Sequence, residues 1–357
     1  MNSSSSHSVA STARSPQQSE LWLTRRLKSL SRHHETYVGL VIIILACLIT
    51  LTNPSFLTLE NFFDLLKSYT FLGILAVGVL IVLLSGGIDI SFTAVATVTI
   101  YATMSATLAY GGNIVTVFLM ASIIGVILGL INAVIIYFFD IPSIITTIAT
   151  LNIYYGLLTV WAGGKALYVM PDWFAAFADI KVLNLVNADG MPYNLSIIPL
   201  IWLAVIVVAW VILKYTALGR GIYALGGNPA AAQRAGFNIL RIQLFVYGFM
   251  GLLAGIASVV EALLAQRVMT NSMVGKELDV IAAVVLGGAS LAGGVGTLSG
   301  TLLGVALVAV IGNGLTLMRI SSFWYNVFIG LTILISVGAS AYRLKLQRRR
   351  AYVVEVE

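Results

Sequence analysis

Cysteine, histidine and charge are all scarce in this 357-residue chain, and each scarcity removes a class of function. The single cysteine, Cys47, excludes an intramolecular disulfide and a cysteine-cluster metal site. The three histidines, His7, His33 and His34, all fall in the N-terminal tail, which leaves no buried imidazole for general-base work or metal binding. No G-x-x-x-x-G-K-[ST] loop occurs, and a serine nucleophile would lack a partner. The chain therefore reads as a non-enzyme with no metal site and no cofactor of its own. Charged residues make up 10% of it, against about 25% in a soluble domain. Hydrophobic residues make up 59%, and the mean hydropathy is +0.98. So little polar surface cannot coat a globule in water. The chain belongs in a bilayer.

A helix crossing the hydrocarbon needs about 20 mostly apolar residues. Ten such runs occur, at 37–52, 62–84, 90–109, 113–138, 141–162, 196–215, 244–265, 279–294, 298–317 and 322–342, with glycines interrupting the eighth and ninth. The runs are continuous rather than alternating, which argues against strands. With both termini in the cytoplasm, Lys67, Lys165, Lys181, Arg267, Lys276 and Arg319 lie outside and the rest of the 20 basic residues inside. The expected fold is an all-α polytopic membrane protein with about ten spans. A cytoplasmic tail covers 1–36, the transmembrane domain 37–342 and a second cytoplasmic tail 343–357. The net charge of +6 then signals topology rather than nucleic-acid binding.

Residues 1–20 are poor in apolar side chains and read as disordered. Leu21, Trp22, Leu23, Leu27 and Leu30 form the apolar edge of a basic segment suited to the inner membrane surface. Cys47 reads as a packing residue of the first helix. Of the two long connections, 163–195 on the outer side places Trp173, Phe174 and Phe177 beside Asp172 and Asp179. That pattern suits a short amphipathic helix, serving as an interfacial anchor or as a docking surface for an outer partner.

The inner connection, 214–243, carries the most punctuation. Gly226 and Gly227 are expected to break the chain, Asn228 to cap a new helix and Pro229 to occupy its first turn. The helix, of about two turns over 228–236, then runs through Ala232, Arg234 and Ala235 to a stop at Gly236. A small, smooth, bounded helix that cannot form its own core suits a groove on another protein.

Here the residues carry a family likeness. GRGIYALGGNPAAAQRAGFNILRIQ resembles the cytoplasmic coupling loop of permease subunits of bacterial ATP-binding-cassette importers, in the branched group that takes up ribose and related monosaccharides. GKELDVIAAVVLGGASLAGGVGTLSGTLLG resembles that group's late signature and LLSGGIDIS its early one, although Phe92 and Thr93 stand where the family commonly has Val-Gly. The resemblance spans about 38–342. It implies a multi-pass subunit of the bacterial inner membrane that works as a pair, either two copies or two paralogues. Its expected partners are cytoplasmic ATP-binding subunits, which hold ATP and magnesium, and a periplasmic solute-binding protein. Arg234 is expected to face an acidic groove on the ATPase, with Arg241 in the same role or as an inside-positive anchor.

Intramembrane ionisable residues call for a functional hypothesis. Asp89 lies between Gly86-Gly87 and Ser91, where the glycines should interrupt a span, and it is expected to hold that break or to contact solute. Asn132, Thr146, Thr147, Asn152, Tyr154 and Asn313 are further candidates for a translocation pathway, or else glue between helices. Glu261 either faces the pathway or meets Arg267. Trp173, Glu277 and Asp279 are expected on the outer side, where a binding protein docks. Gly287, Gly288, Gly293 and Gly294 lack any nearby Lys or Arg from 279 to 300, so they read as helix-break and packing positions rather than as a phosphate cradle. An importer of branched-chain amino acids and an ion-coupled secondary transporter are the alternatives.

Overall fold

The computed structural model describes residues 34–334 apart from 188, 189, 191 and 322, together with 338. The expectations for the N-terminal tail, for the C-terminal tail and for most of 335–342 lie outside the described residues. The elements run α1 (His34–Thr52), a 3₁₀ turn (Pro54–Leu57), α2 (Leu59–Ser68), α3 (Thr70–Leu84), α4 (Phe92–Tyr110), α5 (Ile114–Phe139), α6 (Ser143–Ala162) and α7 (Asp172–Ala178). There follow β1 (Lys181–Val186), β2 (Pro192–Ser196), α8 (Ile198–Tyr215), α9 (Ala217–Gly227), α10 (Pro229–Arg234), α11 (Ile239–Ala265), α12 (Lys276–Leu286), α13 (Leu298–Leu317) and α14 (Phe323–Leu334).

The centre of the bundle is α3, a 15-residue helix that is apolar all round and buried at every position. Such a helix has no polar stripe to turn outward and sits in the middle by default. Beside it, α11 is buried over most of its length, whereas α1 shows Leu40, Ile43, Ile44, Leu48 and Leu51 on its outside. In a bilayer that outer face meets lipid or another protein without penalty. Cys47 is exposed on this same helix rather than packed inside.

Glycines set how closely the helices approach. Gly125 and Gly129 of α5 face Gly251 and Gly255 of α11, four residues apart on both sides. A methyl built on Gly125 would lie 3.0 Å from Gly251 C and 3.2 Å from Gly255 N, so the two backbones touch. In the same way Gly287, Gly300 and Gly304 let α12 and α13 pack antiparallel, with Gly304 against Ala283 and Gly300 against Gly287.

Three expected spans differ from what is found. The run 62–84 covers two helices, α2 and α3, which bend by 54° about Tyr69. The sequence LENFFDLLKS of α2 is amphipathic and capped by Thr58, whose side chain accepts from Asn61 N at 3.3 Å, so it starts a helix of its own. The run 279–294 is helical only as far as Leu286. With 11 residues α12 is about 16 Å long, roughly half the hydrocarbon thickness. The rest of that crossing, 287–297, is turns and extended chain. The run 90–109 becomes helical at Phe92, because 85–91 is a break.

The connection at 163–195 holds α7 where a short helix was expected, and also an antiparallel ribbon that was not. β1 pairs with β2, Val186 opposite Pro192 and Leu185 opposite Tyr193. Tyr193 lies 6.0 Å from the Phe63 ring, which ties the ribbon to α2. A two-stranded ribbon needs such a support to be stable. Apart from this ribbon and one isolated bridge between Leu167 and Val268, the regular structure among the described residues is helical, in keeping with the all-α class.

Candidate coupling hairpin and polar track

The segment between α8 and α11 is a stack of two short helices, each started by a side-chain cap. Thr216 Oγ1 accepts from Gly219 N at 3.0 Å and starts α9. Asn228 Oδ1 accepts from Ala231 N at 3.0 Å and starts α10, with Pro229 in its first turn. Gly236, at φ 86°, turns the chain out of α10, and Asn238 caps α11 by accepting from Arg241 N at 3.0 Å. The short helix is thus 229–234. On it Gln233 and Arg234 are exposed, as are Ala235 and Arg241 beyond, while Ala232 is buried against the chain's own fold. Ala232 therefore supports the hairpin and does not face a partner.

Gly226 and Gly227 do not break the chain. They are the last residues of α9, which the Thr216 cap allows to run up to Asn228. Gly226 serves a close approach instead. A methyl there would collide with Leu84 O and lie 2.6 Å from Gly294 N. One on Gly293 would lie 2.6 Å from Gly86 Cα and 2.8 Å from Gly226 O. Gly294 N–H donates to Leu84 O at 3.1 Å, and the Tyr223 hydroxyl donates to Gly296 O at 3.1 Å. Three segments far apart in sequence, the end of α3, the end of α9 and the loop after α12, meet here backbone to backbone. Gly288, Gly293 and Gly294 all take positive φ, and that conformation brings the loop back to this point.

From the same contact the chain leaves α3 through Gly86, at φ 83°, into the break 87–91. Neighbouring polar side chains serve the backbone of Ile88 and Ser91, while Gly87 N still reaches back to Val82 O. Ile88 N donates to Ser143 Oγ at 2.9 Å, and Ile88 O accepts from Thr147 Oγ1 at 3.2 Å. Asp89 Oδ1 accepts from both Ser91 N and Ser91 Oγ at 2.7 Å. Asn132 Nδ2 of α5 donates to Ser91 Oγ at 2.8 Å. The Tyr247 hydroxyl of α11 packs on Gly87, leaving no room there for a side chain. Asp89, Ser91, Asn132 and Thr147 are all buried. A buried carboxylate is tolerable in such a place because it organises the break through hydrogen bonds.

Of the other expected members of a pathway, two are buried on α6 and two stand apart. Tyr154 is buried, its hydroxyl donating to Leu128 O at 3.2 Å, and Thr146 is buried near the break. Asn152 is exposed and returns its amide to Ile148 O of its own helix at 2.8 Å, so it stands apart from these groups. Asn313 pairs with Asn61 in both directions, at 2.9 and 3.1 Å, joining α13 to α2. That is a tie between helices at the end of the bundle opposite α9 and α10.

The residues expected to meet a binding protein separate as well. Trp173 is half-buried, its ring edge-on to Phe174 at 5.8 Å. Glu277 is buried and accepts from the Thr93 hydroxyl of α4, so it is no docking residue. Asp279 is half-buried and hydrogen-bonded to Tyr325. Both lie on the covered side of the first turn of α12, whose other side exposes Lys276 and Leu278. Ser143, Tyr223 and Tyr247 are polar groups of the site that the sequence reading missed, and Thr93, which stands out in the sequence only as a departure from the family pattern, is a fourth. Ser143 opens α6 next to Pro142, and nothing in the sequence ties it to residue 88.

Residues 61–337 match the family described as "Branched-chain amino acid transport system / permease component". The chain belongs to this permease family. The ribose import permease protein RbsC of Haemophilus influenzae is 35% identical over 305 residues, which is 85% of this chain and 92% of that protein. The Escherichia coli K12 ribose import permease protein RbsC is 32% identical, over 84% and 91%. The autoinducer 2 import system permease protein LsrC of Yersinia pseudotuberculosis is 32% identical over 86% and 85%. No solved structure matches the chain. The permease is accordingly a multi-pass protein of the inner membrane, with seven long apolar helices and one bent pair among the described residues.

Proposed function

We propose that the permease is the membrane-spanning subunit of an ATP-driven importer for a monosaccharide or similar small polyol. In this reading a periplasmic binding protein delivers the solute, and ATP is bound and hydrolysed on separate cytoplasmic subunits. α10 seats in a groove of the ATPase, with Gln233, Arg234 and Ala235 as its exposed contact edge. The observation that carries this is the glycine contact of Gly86, Gly226, Gly293 and Gly294. It links the hairpin directly to the two places where spans are broken, after Leu84 and after Leu286. A movement of α9 and α10 is then passed to both breaks without a flexible intermediary, as an element with two discrete positions requires. Broken helices in the two halves of a transporter are also where solute paths commonly lie. The polar track of Asp89, Ser91, Asn132, Thr146 and Thr147 lines or supports that path.

Sugar is favoured over branched-chain amino acids because the relatives that match nearly end to end are named for ribose and autoinducer 2. The coupling role is tested by Arg234→Glu in the assembled complex. ATP hydrolysis stimulated by loaded binding protein should fall at least about tenfold, since reversing a charge at an interface juxtaposes like charges at several kcal/mol. The protein should still insert and purify. Unchanged stimulated hydrolysis would remove α10 from the ATPase contact.

A further inference from the structure

At the far end of α3 from the glycine contact, about 22 Å along a 15-residue helix, the structure holds a cleft of about 280 Å³. It opens where α2 bends into α3 and where α12 begins. Six of its lining residues are polar: Ser68, Tyr69, Glu261, Lys276, Asp279 and Tyr325. Two larger grooves are lined almost wholly by apolar side chains. A concentration of polar groups like this one, contributed by four helices and the Tyr69 hinge to one cleft in a membrane bundle, is costly and needs a reason.

The groups are arranged in relation to one another. Asp279 is hydrogen-bonded to the Tyr325 hydroxyl. Lys276 stands close enough to both Glu261 and Asp279 for its charge to act on each. Glycine at 312 of α13 admits the Tyr69 hydroxyl and the edge of the Tyr325 ring, which lies 3.4 Å from where a side chain would begin. Glu261 therefore does more than meet Arg267, and Asp279 does not face outward.

We propose that this cleft is a transit site for one small, uncharged polyhydroxylated solute on the permease itself. The volume falls just below the roughly 300–1,000 Å³ of drug-sized small-molecule sites, which suits a single small ring. The charge of Lys276 acts on both carboxylates and that of Arg267 on Glu261, so neither acid lacks a cation and neither is left alone to hold an ion. What remains are spare carboxylate lone pairs, ammonium and phenol hydrogens and the Ser68 hydroxyl. Hydroxyl groups, which donate and accept at once, match that set. The two phenol rings offer apolar faces for the C–H side of a sugar ring. The site is reached before the glycine contact by a solute entering from the α2–α3 bend.

The proposal rests on the polyol-importer reading, and its test separates the two. Cys47→Ser removes the one native thiol, and Ser68→Cys then places a thiol at the rim of the cleft. The full chain in lipid nanodiscs is labelled with a small methanethiosulfonate reagent. D-ribose should slow labelling of this thiol several-fold and leave a Gln233→Cys control unchanged, while L-valine should have no effect. Asp279→Asn and Tyr325→Phe, each keeping its shape, should raise the half-protecting ribose concentration about tenfold, the loss of one good hydrogen bond. No protection by ribose, protection equal in the variants, or equal protection by L-valine would overturn the site. ATP-driven uptake in the complete complex is scored apart. Uptake undiminished in Asp279→Asn and Tyr325→Phe sinks the site alone, whereas no sugar uptake by the unaltered complex sinks the importer reading.

Discussion

Replacing Gly226 with alanine adds one methyl group at the place where α3, α9 and the 287–297 loop meet. That methyl would overlap Leu84 O and come within 2.6 Å of Gly294 N and 2.9 Å of Leu84 C. Backbone cannot swing aside as a side chain does, so one of the three segments must move. Alanine gains up to about 1 kcal/mol over glycine in a helix, which works in the opposite direction. Overpacking costs about 1–3 kcal/mol, and here it falls on main chain, toward the upper end. The net expected loss is about 1–2 kcal/mol, localised at the contact. Gly227 provides the control: it follows in the same helix, has nothing within 4 Å, and its alanine variant should be neutral or slightly stabilising. The assay is sugar uptake per ATP hydrolysed by the reconstituted complex, with thermal stability of the purified permease measured beside it. Gly226→Ala should lower uptake per ATP several-fold and Gly227→Ala should not. If the two variants behave alike, the close contact does not carry movement, and the reasoning built on it fails.

Three further outcomes follow from the packing and the polar track. Asp89→Leu leaves the Ser91 N–H and hydroxyl without their acceptor in a buried site and should cost about 1–3 kcal/mol per lost partner, whereas Asp89→Asn keeps an acceptor oxygen and should cost less. Thermal unfolding in detergent decides it, and equal losses would deny the carboxylate its role in the break. Gly251→Val drives a side chain into Gly125 O across the α5–α11 seam and should destabilise by about 3 kcal/mol or more, read by the same unfolding assay. A stable Gly251→Val would mean the seam is not closed. Asn313→Leu removes only a tie to Asn61 and should cost about 0.6 kcal/mol with uptake unchanged. A severe transport defect there would return Asn313 to the solute path.

The outline of the bundle was legible because long apolar runs such as Ile114–Phe139 have no other physical use. So was α10, because Asn228, Pro229 and Gly236 punctuate a helix wherever they occur in that order. What hydropathy could not show was where a span is only half helical. Val280–Leu286 and the serine- and glycine-bearing Ala289–Val295 belong to one uncharged run, and the stop at Gly287 comes from a glycine loop that folds back onto Leu84. Composition likewise placed Glu277 and Asp279 at an outer end, since charge usually marks a membrane edge. Their partners, Thr93 and Tyr325, lie 184 and 46 positions away, beyond what a local pattern can report. The ribbon of β1 and β2 escaped for a related reason, because its support is Phe63 on α2 rather than anything in its own sequence.

The central claim is that this chain carries solute only when ATP is turned over on a partner docked at α10. It is tested most directly by loading proteoliposomes with the permease, its ATP-binding subunits and its binding protein, and following radiolabelled D-ribose. The account predicts accumulation that requires ATP and every subunit, and that disappears with Arg234→Glu. Ribose entry through the permease alone, without ATP, would contradict it.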